Sequence, residues 1–193
     1  PERQPVMGNG VIIDNGDHLV VVDGCGSPLL AERVIQVIKA VSDLPVRTLI
    51  ITHWHGDHHL GAHRFVDEWP GLEIIAQRFT SEAMLGPQMD YLAERRENLP
   101  DQIAALKPLA EAGVMADGSP MPEILRGDFN DLLNYDGLII EELNNSRVTP
   151  PTRIFEELLN IDYGSRPMEL RFFGRGNTAG DAVLWMPEER ILI

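Results

Sequence analysis

A strand that runs straight into a histidine-rich turn leaves this chain few ways to fold. Val46–Thr52 (VRTLIIT) is apolar and β-branched enough to be a buried strand, and His53-Trp54-His55-Gly56-Asp57-His58 follows it without a linker. Buried strands of this kind belong to layered α/β folds, which place ligands in the loops at the C-terminal edge of the strands. Five of the six histidines lie between positions 53 and 63. In extended backbone, side chains two apart point the same way, so His53 and His55 can converge on one point. Gly56 permits a sharp bend, and Asp57 and His58 leave in new directions as a helix begins. One turn thereby offers two pairs of donors to two neighbouring points.

Imidazole nitrogen and carboxylate oxygen are donors for zinc, with iron or manganese as alternatives. Two metals about 3.5–4 Å apart clamp an attacking hydroxide and a developing oxyanion, and a bound metal brings the pKa of water down to about 7. Asp57 is cast both as a ligand and as the catalytic carboxylate. Its other reading is an N-cap for the helix that follows. His59 and His63, four apart, are expected outside the ligand set or at the surface. His18, beside a hairpin turn, is expected to face solvent.

The rest of the chain fits the same architecture. Val11–Asp14 and Leu19–Asp23 are β-rich runs around Asn15-Gly16-Asp17, a hairpin signal. Ser27 is placed to cap a helix with Pro28 in its first turn. Leu30, Val34, Val37, Ile38 and Val41 then follow helical spacing. His58–Trp69 is read as a second helix and Leu72–Ala76 as a strand. From Thr80 a Leu/Ala/Glu/Met-rich stretch runs to about Ala112. Residues 116–122 are a loop, and EILRGDFNDLL is a short helix. Residues 78–150 are therefore read as a helical insertion within one domain spanning 1–193. Strands return at Arg153–Leu158, Met168–Phe173 and Ala182–Met186, with turns at Tyr163-Gly164-Ser165 and Pro187-Glu188-Glu189.

Composition narrows the partners. Of 193 residues 44% are hydrophobic, enough for a packed core, and no apolar run approaches the ~18 residues of a membrane span. A net charge of −14 disfavours nucleic acid and anionic membranes, both of which reward basic patches. A small, neutral or cationic substrate is expected. Cys25 is the single cysteine, so no internal disulfide forms, and it reads as a turn residue between two glycines rather than a nucleophile. Compartment, periplasmic or cytoplasmic, and oligomeric state stay open. The chain starts on Pro1 and stops on the apolar run RILI, which reads as a piece cut within a fold.

The segment Thr52-His53-Trp54-His55-Gly56-Asp57-His58, continued by Leu60-Gly61, resembles the signature of the metallo-β-lactamase superfamily. The upstream LVVVDGCG resembles the second strand of that family's first hairpin. The block GRGNTAGDAVLWMPEERILI from Gly174 resembles its Gly-His-Thr-x-Gly-Asp segment. The resemblance implies an αββα sandwich, incomplete in its C-terminal half here. It implies His53 and His55 as ligands of a first metal, and Asp57 and His58 as ligands of a second. It also implies hydrolysis of an amide, ester, lactone or thioester by a metal-activated hydroxide. A mononuclear-iron dioxygenase of the same fold, and a non-catalytic module with a worn metal loop, are the alternatives.

Two departures stand out. The family's third histidine falls on Asn177, whose amide oxygen is a poorer zinc donor. Either the first position is weak, empty or filled by a harder ion such as manganese, or Asn177 merely caps its own turn. In addition, no histidine follows position 63, so the bridging aspartate and last histidine of the family are expected beyond Ile193. Asp181 matches a structural aspartate. Met84, Leu85, Met89 and Tyr91 in the insertion are read as helix packing, with a substrate wall as the alternative.

Overall fold

The computed structural model describes residues 9–193. Strands β1 (Val11–Asp14) and β2 (Leu19–Val22) form the antiparallel hairpin. Helix α1 (Pro28–Val41) crosses over to β3 (Val46–Ile51), which pairs parallel with β2. Helices α2 (Gly56–His59) and α3 (Ala62–Glu68) lead to β4 (Glu73–Gln77), parallel to β3. Helices α4 (Arg78–Leu85), α5 (Pro87–Ala112) and α6 (Glu123–Asn145) follow. Strand β5 (Arg153–Phe155) then completes a five-stranded sheet in the order β1-β2-β3-β4-β5. A second, antiparallel sheet runs β6 (Leu158–Ile161), β7 (Met168–Phe172), β8 (Ala182–Met186) and β9 (Ile191–Leu192).

The alternation of side chains builds the layers. Val20, Val22, Ile50 and Ile75 face one way and pack on Ile161, Met168, Leu170, Leu184 and Met186 of the second sheet. Leu19, Val21, Leu49, Ile51, Ile74 and Ala76 face the other way and pack under Ala31, Ile35, Ile38, Ala62 and Phe65 of the helices. Both faces of the inner strands β2 to β4 are buried, so these strands carry apolar runs. The described residues thus supply the helix, sheet and sheet layers of an αββα sandwich. Among them no helix is long and apolar enough to cross a membrane.

By contacts the chain divides into two compact units, one being Asp90–Asn145 and the other the sandwich up to Met89 and from Ser146. The helical stretch between β4 and β5 runs 78–145, and α6 is a 23-residue helix bent at Tyr135 rather than a short one.

Several local expectations are corrected. On α1 the buried stripe is Ala31, Ile35 and Ile38, whereas Val37 and Val41 are 56% and 74% exposed. The expected helix 58–69 is two helices, because Gly61 gives its N–H to the Cys25 carbonyl (2.9 Å) instead of continuing the helical ladder. A Cβ at Gly61 would lie 2.6 Å from the carbonyl oxygens of Gly24 and Ser27, so only glycine permits this approach. The expected strand 153–158 is split between the sheets: Gln77 donates to the Glu156 carbonyl (3.0 Å), and Phe172 N–H to that of Glu157 (2.9 Å). His18 is fully buried rather than solvent-facing. It donates to Asp17 (2.6 Å), accepts from Asn15 Nδ2 (3.2 Å) and lies against the Tyr163 ring, because the 163–166 turn folds over the hairpin.

Candidate metal centre

The ligand turn starts where β3 ends. Thr52 gives its backbone N–H (2.9 Å) and its hydroxyl (3.0 Å) to the Asp23 carboxylate at the end of β2. The single hydroxyl proton is thereby used, so Thr52 Oγ1 accepts from His53 Nδ1 at 3.1 Å. That fixes the His53 tautomer and leaves Nε2 with its lone pair. The second oxygen of Asp23 accepts from His58 Nδ1 at 2.7 Å, which frees His58 Nε2 in the same way. Asp23 is 6% exposed and sits at φ 65°. One buried carboxylate therefore orients two imidazoles, the arrangement that sets the tautomer and basicity of metal-binding histidines.

The free nitrogens converge. His53 Nε2 lies 3.2 Å from His55 Nδ1. The Asn177 amide nitrogen lies 3.3 Å from the first and 3.4 Å from the second. Ligands 2.0–2.1 Å from a tetrahedral zinc sit about 3.3–3.4 Å from one another, so these three atoms have the spacing of one tetrahedral face. A second edge of the same length joins His58 Nε2 and Asp57 Oδ2, 3.2 Å apart. The two groups adjoin, with the His53 and His58 ring centroids separated by 4.0 Å. Among the described residues no three His, Cys, Asp or Glu side chains close on one point. The first group has two imidazoles and an amide, and the second has one imidazole and one carboxylate. The donor types and spacings are those that metals take, in two incomplete sets among the described residues.

The electrostatics agree with these roles. Burial, then the neighbouring His58 and His55, pushes the His53 pKa down and keeps the ring neutral. The hydrogen bond to Asp23, with the charges of Asp23 and Asp57, raises that of His58 against the opposing effect of burial. Burial lowers His59 to about 4. This ring is fully enclosed and donates Nε2–H to the Trp54 carbonyl at 2.9 Å, holding the residue between the two ligand histidines. His63 is 8% exposed. Burial pushes the Cys25 thiol up to about 11, against a nucleophilic role. Asp57 lies on α2 with no side-chain cap bond formed at that helix's start, which is His55. Sequence reasoning missed the parts played by Asp23 and Thr52. The one available signal for Asp23 was an acid closing an otherwise apolar strand.

A family model described as the metallo-beta-lactamase superfamily matches residues 3–193. The chain belongs to the metallo-beta-lactamase superfamily. Within this superfamily it is 33% identical over 66 residues to an atrochrysone carboxyl ACP thioesterase of Aspergillus chevalieri, covering 34% of this chain and 21% of that one. It is 28% identical over 119 residues to a linear primary-alkylsulfatase of Pseudomonas sp. (strain ATCC 19151), covering 53% and 22%. The solved metallo-beta-lactamase FIM-1 of Pseudomonas aeruginosa, in its mono-zinc form, shares the fold at TM-score 0.56 and 15% identity, over 97% of this chain and 56% of that one. The chain thus spans about a fifth of these curated relatives and just over half of the solved structure.

Proposed function

We propose that this superfamily member is a metal-dependent hydrolase of a small acyl or related ester substrate, with zinc as its ordinary cofactor and one or two ions held by His53, His55, Asp57 and His58. The observation that carries the reading is the convergence of donor atoms at tetrahedral spacing, with His58 aimed by Asp23 and His53 by its relay through Thr52. When bound, the metal supplies an acidified water and an electrophile for the developing oxyanion. His53 and His55 present ring nitrogens to it, and Asp23 keeps those of His53 and His58 in register. Asp57, its side chain 39% exposed, reaches solvent and orients the attacking water through a carboxylate oxygen. His59 holds the backbone of the turn still, which preserves the alignment on which such chemistry depends.

The names of the relatives cover a thioester, a sulfate ester and a β-lactam, and the notion of a small neutral or cationic substrate agrees with the charge of −14. The same charge opposes a nucleic-acid substrate. The test is a panel of thioester, ester, lactone, sulfate-ester and β-lactam substrates, given to the full-length protein loaded with zinc, to chelator-stripped protein and to Asp57→Asn. Hydrolysis of one class should fall at least about 100-fold in both of the latter. Turnover that survives stripping and the substitution alike would show that the turn does no chemistry.

A further inference from the structure

Asn177 is held by a loop that does not use its side chain. Asp181 closes the turn by accepting from Thr178 N–H (2.9 Å) and Thr178 Oγ1 (2.9 Å), and Gly176 N–H donates to the Thr178 carbonyl (3.1 Å). Thr80 Oγ1 donates to the Gly180 carbonyl at 2.7 Å, and Ala182 N–H to the Thr52 carbonyl at 2.8 Å, which ties the loop to the ligand strand itself. The hydrogen-bond contacts of the Asn177 amide run instead to His53 Nε2 and His55 Nδ1. The capping role is therefore filled by Asp181 and Thr178, and the amide completes the triangle of donors.

An amide has two faces of opposite character. Its NH2 donates, its oxygen accepts, and half a turn about the last side-chain bond exchanges them. With no cation present, the NH2 satisfies imidazole lone pairs. A cation needs those lone pairs for itself and needs an oxygen, not an NH2, at the third corner. We propose that Asn177 is a reversible third ligand: it caps the empty imidazole pair through Nδ2 and turns to bind the ion through Oδ1, which shifts this position from zinc towards manganese. Carbonyl oxygen suits manganese and imidazole suits zinc, so two imidazoles and one amide oxygen form a harder site than three imidazoles. The claim rests on the metal-dependent reading above and goes beyond it, because that reading takes zinc as the ordinary ion of the whole turn and gives Asn177 no part in holding it.

The experiment uses the full-length protein in an Asp57→Asn background, which disables the second pair so that titration reports the first position. Zinc and manganese are titrated in competition with a chromophoric chelator into that protein and into its Asn177→His and Asn177→Ala forms, with the manganese EPR spectrum as a second readout. Circular dichroism verifies that each form is folded; Asn177 is exposed, so its replacement should not disturb packing. Asn177→His should tighten zinc at least about 10-fold while manganese changes less than about 3-fold, and Asn177→Ala should weaken manganese about 10-fold or more. Manganese affinity unchanged in Asn177→Ala removes the amide from the ligand set. An unchanged zinc-to-manganese ratio in Asn177→His refutes the selectivity. Absence of metal binding by all three forms overturns this inference, and if it extends to protein with Asp57 intact it overturns the metal-dependent reading as well.

Discussion

The sandwich and the helical unit of residues 90–145 are built to different tolerances. In the sandwich, both faces of the inner strands β2 to β4 are covered and large side chains such as Phe65, Leu49, Ile75 and Leu170 are fully enclosed. In the helical unit the buried apolar side chains, among those described, are Leu92, Leu99, Ile103 and Met121, while Ile124 is 85% exposed. A cleft of about 320 Å³ opens there between Ala110, Met121, Arg126 and Phe129, and α5 carries Pro100 and Pro108 in its interior. The glycines show the same contrast. A Cβ at Gly26 would lie 2.9 Å from the Asp57 Cα and one at Gly61 would meet two carbonyl oxygens, whereas one at Gly127 or Gly137 would meet nothing within 4 Å. Close fit is concentrated where the ligand turn is held. The helical unit carries a looser constraint, of the kind that tolerates change.

That contrast makes Gly61→Ala the most damaging substitution. The added methyl has only backbone to push against, and the displaced segments are the Gly24–Ser27 loop and the start of α3 beside the ligand turn. A loss of about 3 kcal/mol is expected, at the upper end for overpacking, read from urea unfolding of the sandwich. A loss under about 1 kcal/mol would mean the approach is softer than its distances imply. Asp23→Asn should come next, and should act on function more than on fold. An amide cannot accept from Thr52 N–H, Thr52 hydroxyl and His58 Nδ1–H together, so His53 and His58 lose their fixed tautomers. Metal affinity measured by chelator competition should fall about 10- to 100-fold. An unchanged affinity would reduce Asp23 to a packing residue.

What could be read from the sequence follows the same division. Strands β2 to β4 were legible because burial of both faces writes apolar, β-branched runs into the chain, β1 because the Asn15-Gly16 turn joins it to β2, and the Ser27-Pro28 pair marks the start of α1 by its own capping chemistry. The proposed donors His53, His55, Asp57 and His58 stand out in the sequence because they are local, within six consecutive residues at the end of a strand. Elements fixed by distant partners were not. The break between β5 and β6 depends on hydrogen bonds from Gln77 and Phe172. The burial of His18 depends on Tyr163 and Arg166. Asp23 gains its role from Thr52 and His58, 29 and 35 positions away. On α1 the apolar count drew attention to Val37 and Val41, but the face that packs is marked by Ala31, Ile35 and Ile38, whose four- and three-residue spacing keeps them on one side of the helix. The nearness of Asn177 to His53 came only from resemblance, since 124 positions separate them.

The smallest effect is the one that tests the helical unit directly. Gly127 lies inside α6 with open space where a Cβ would go and without a positive φ. Alanine there should therefore restrict the unfolded chain, add helix propensity and disturb no neighbour, for a gain of about 0.5–1 kcal/mol. The units need not unfold together, so a single melting temperature is a poor readout. Hydrogen exchange of the amides in Glu123–Asn145 should slow by the corresponding factor, roughly 2- to 5-fold, while amides of β3 and β4 exchange as before. Equal slowing in both regions would show that the two units share one cooperative transition, and the tolerance seen at Gly127 would then be a property of the whole chain.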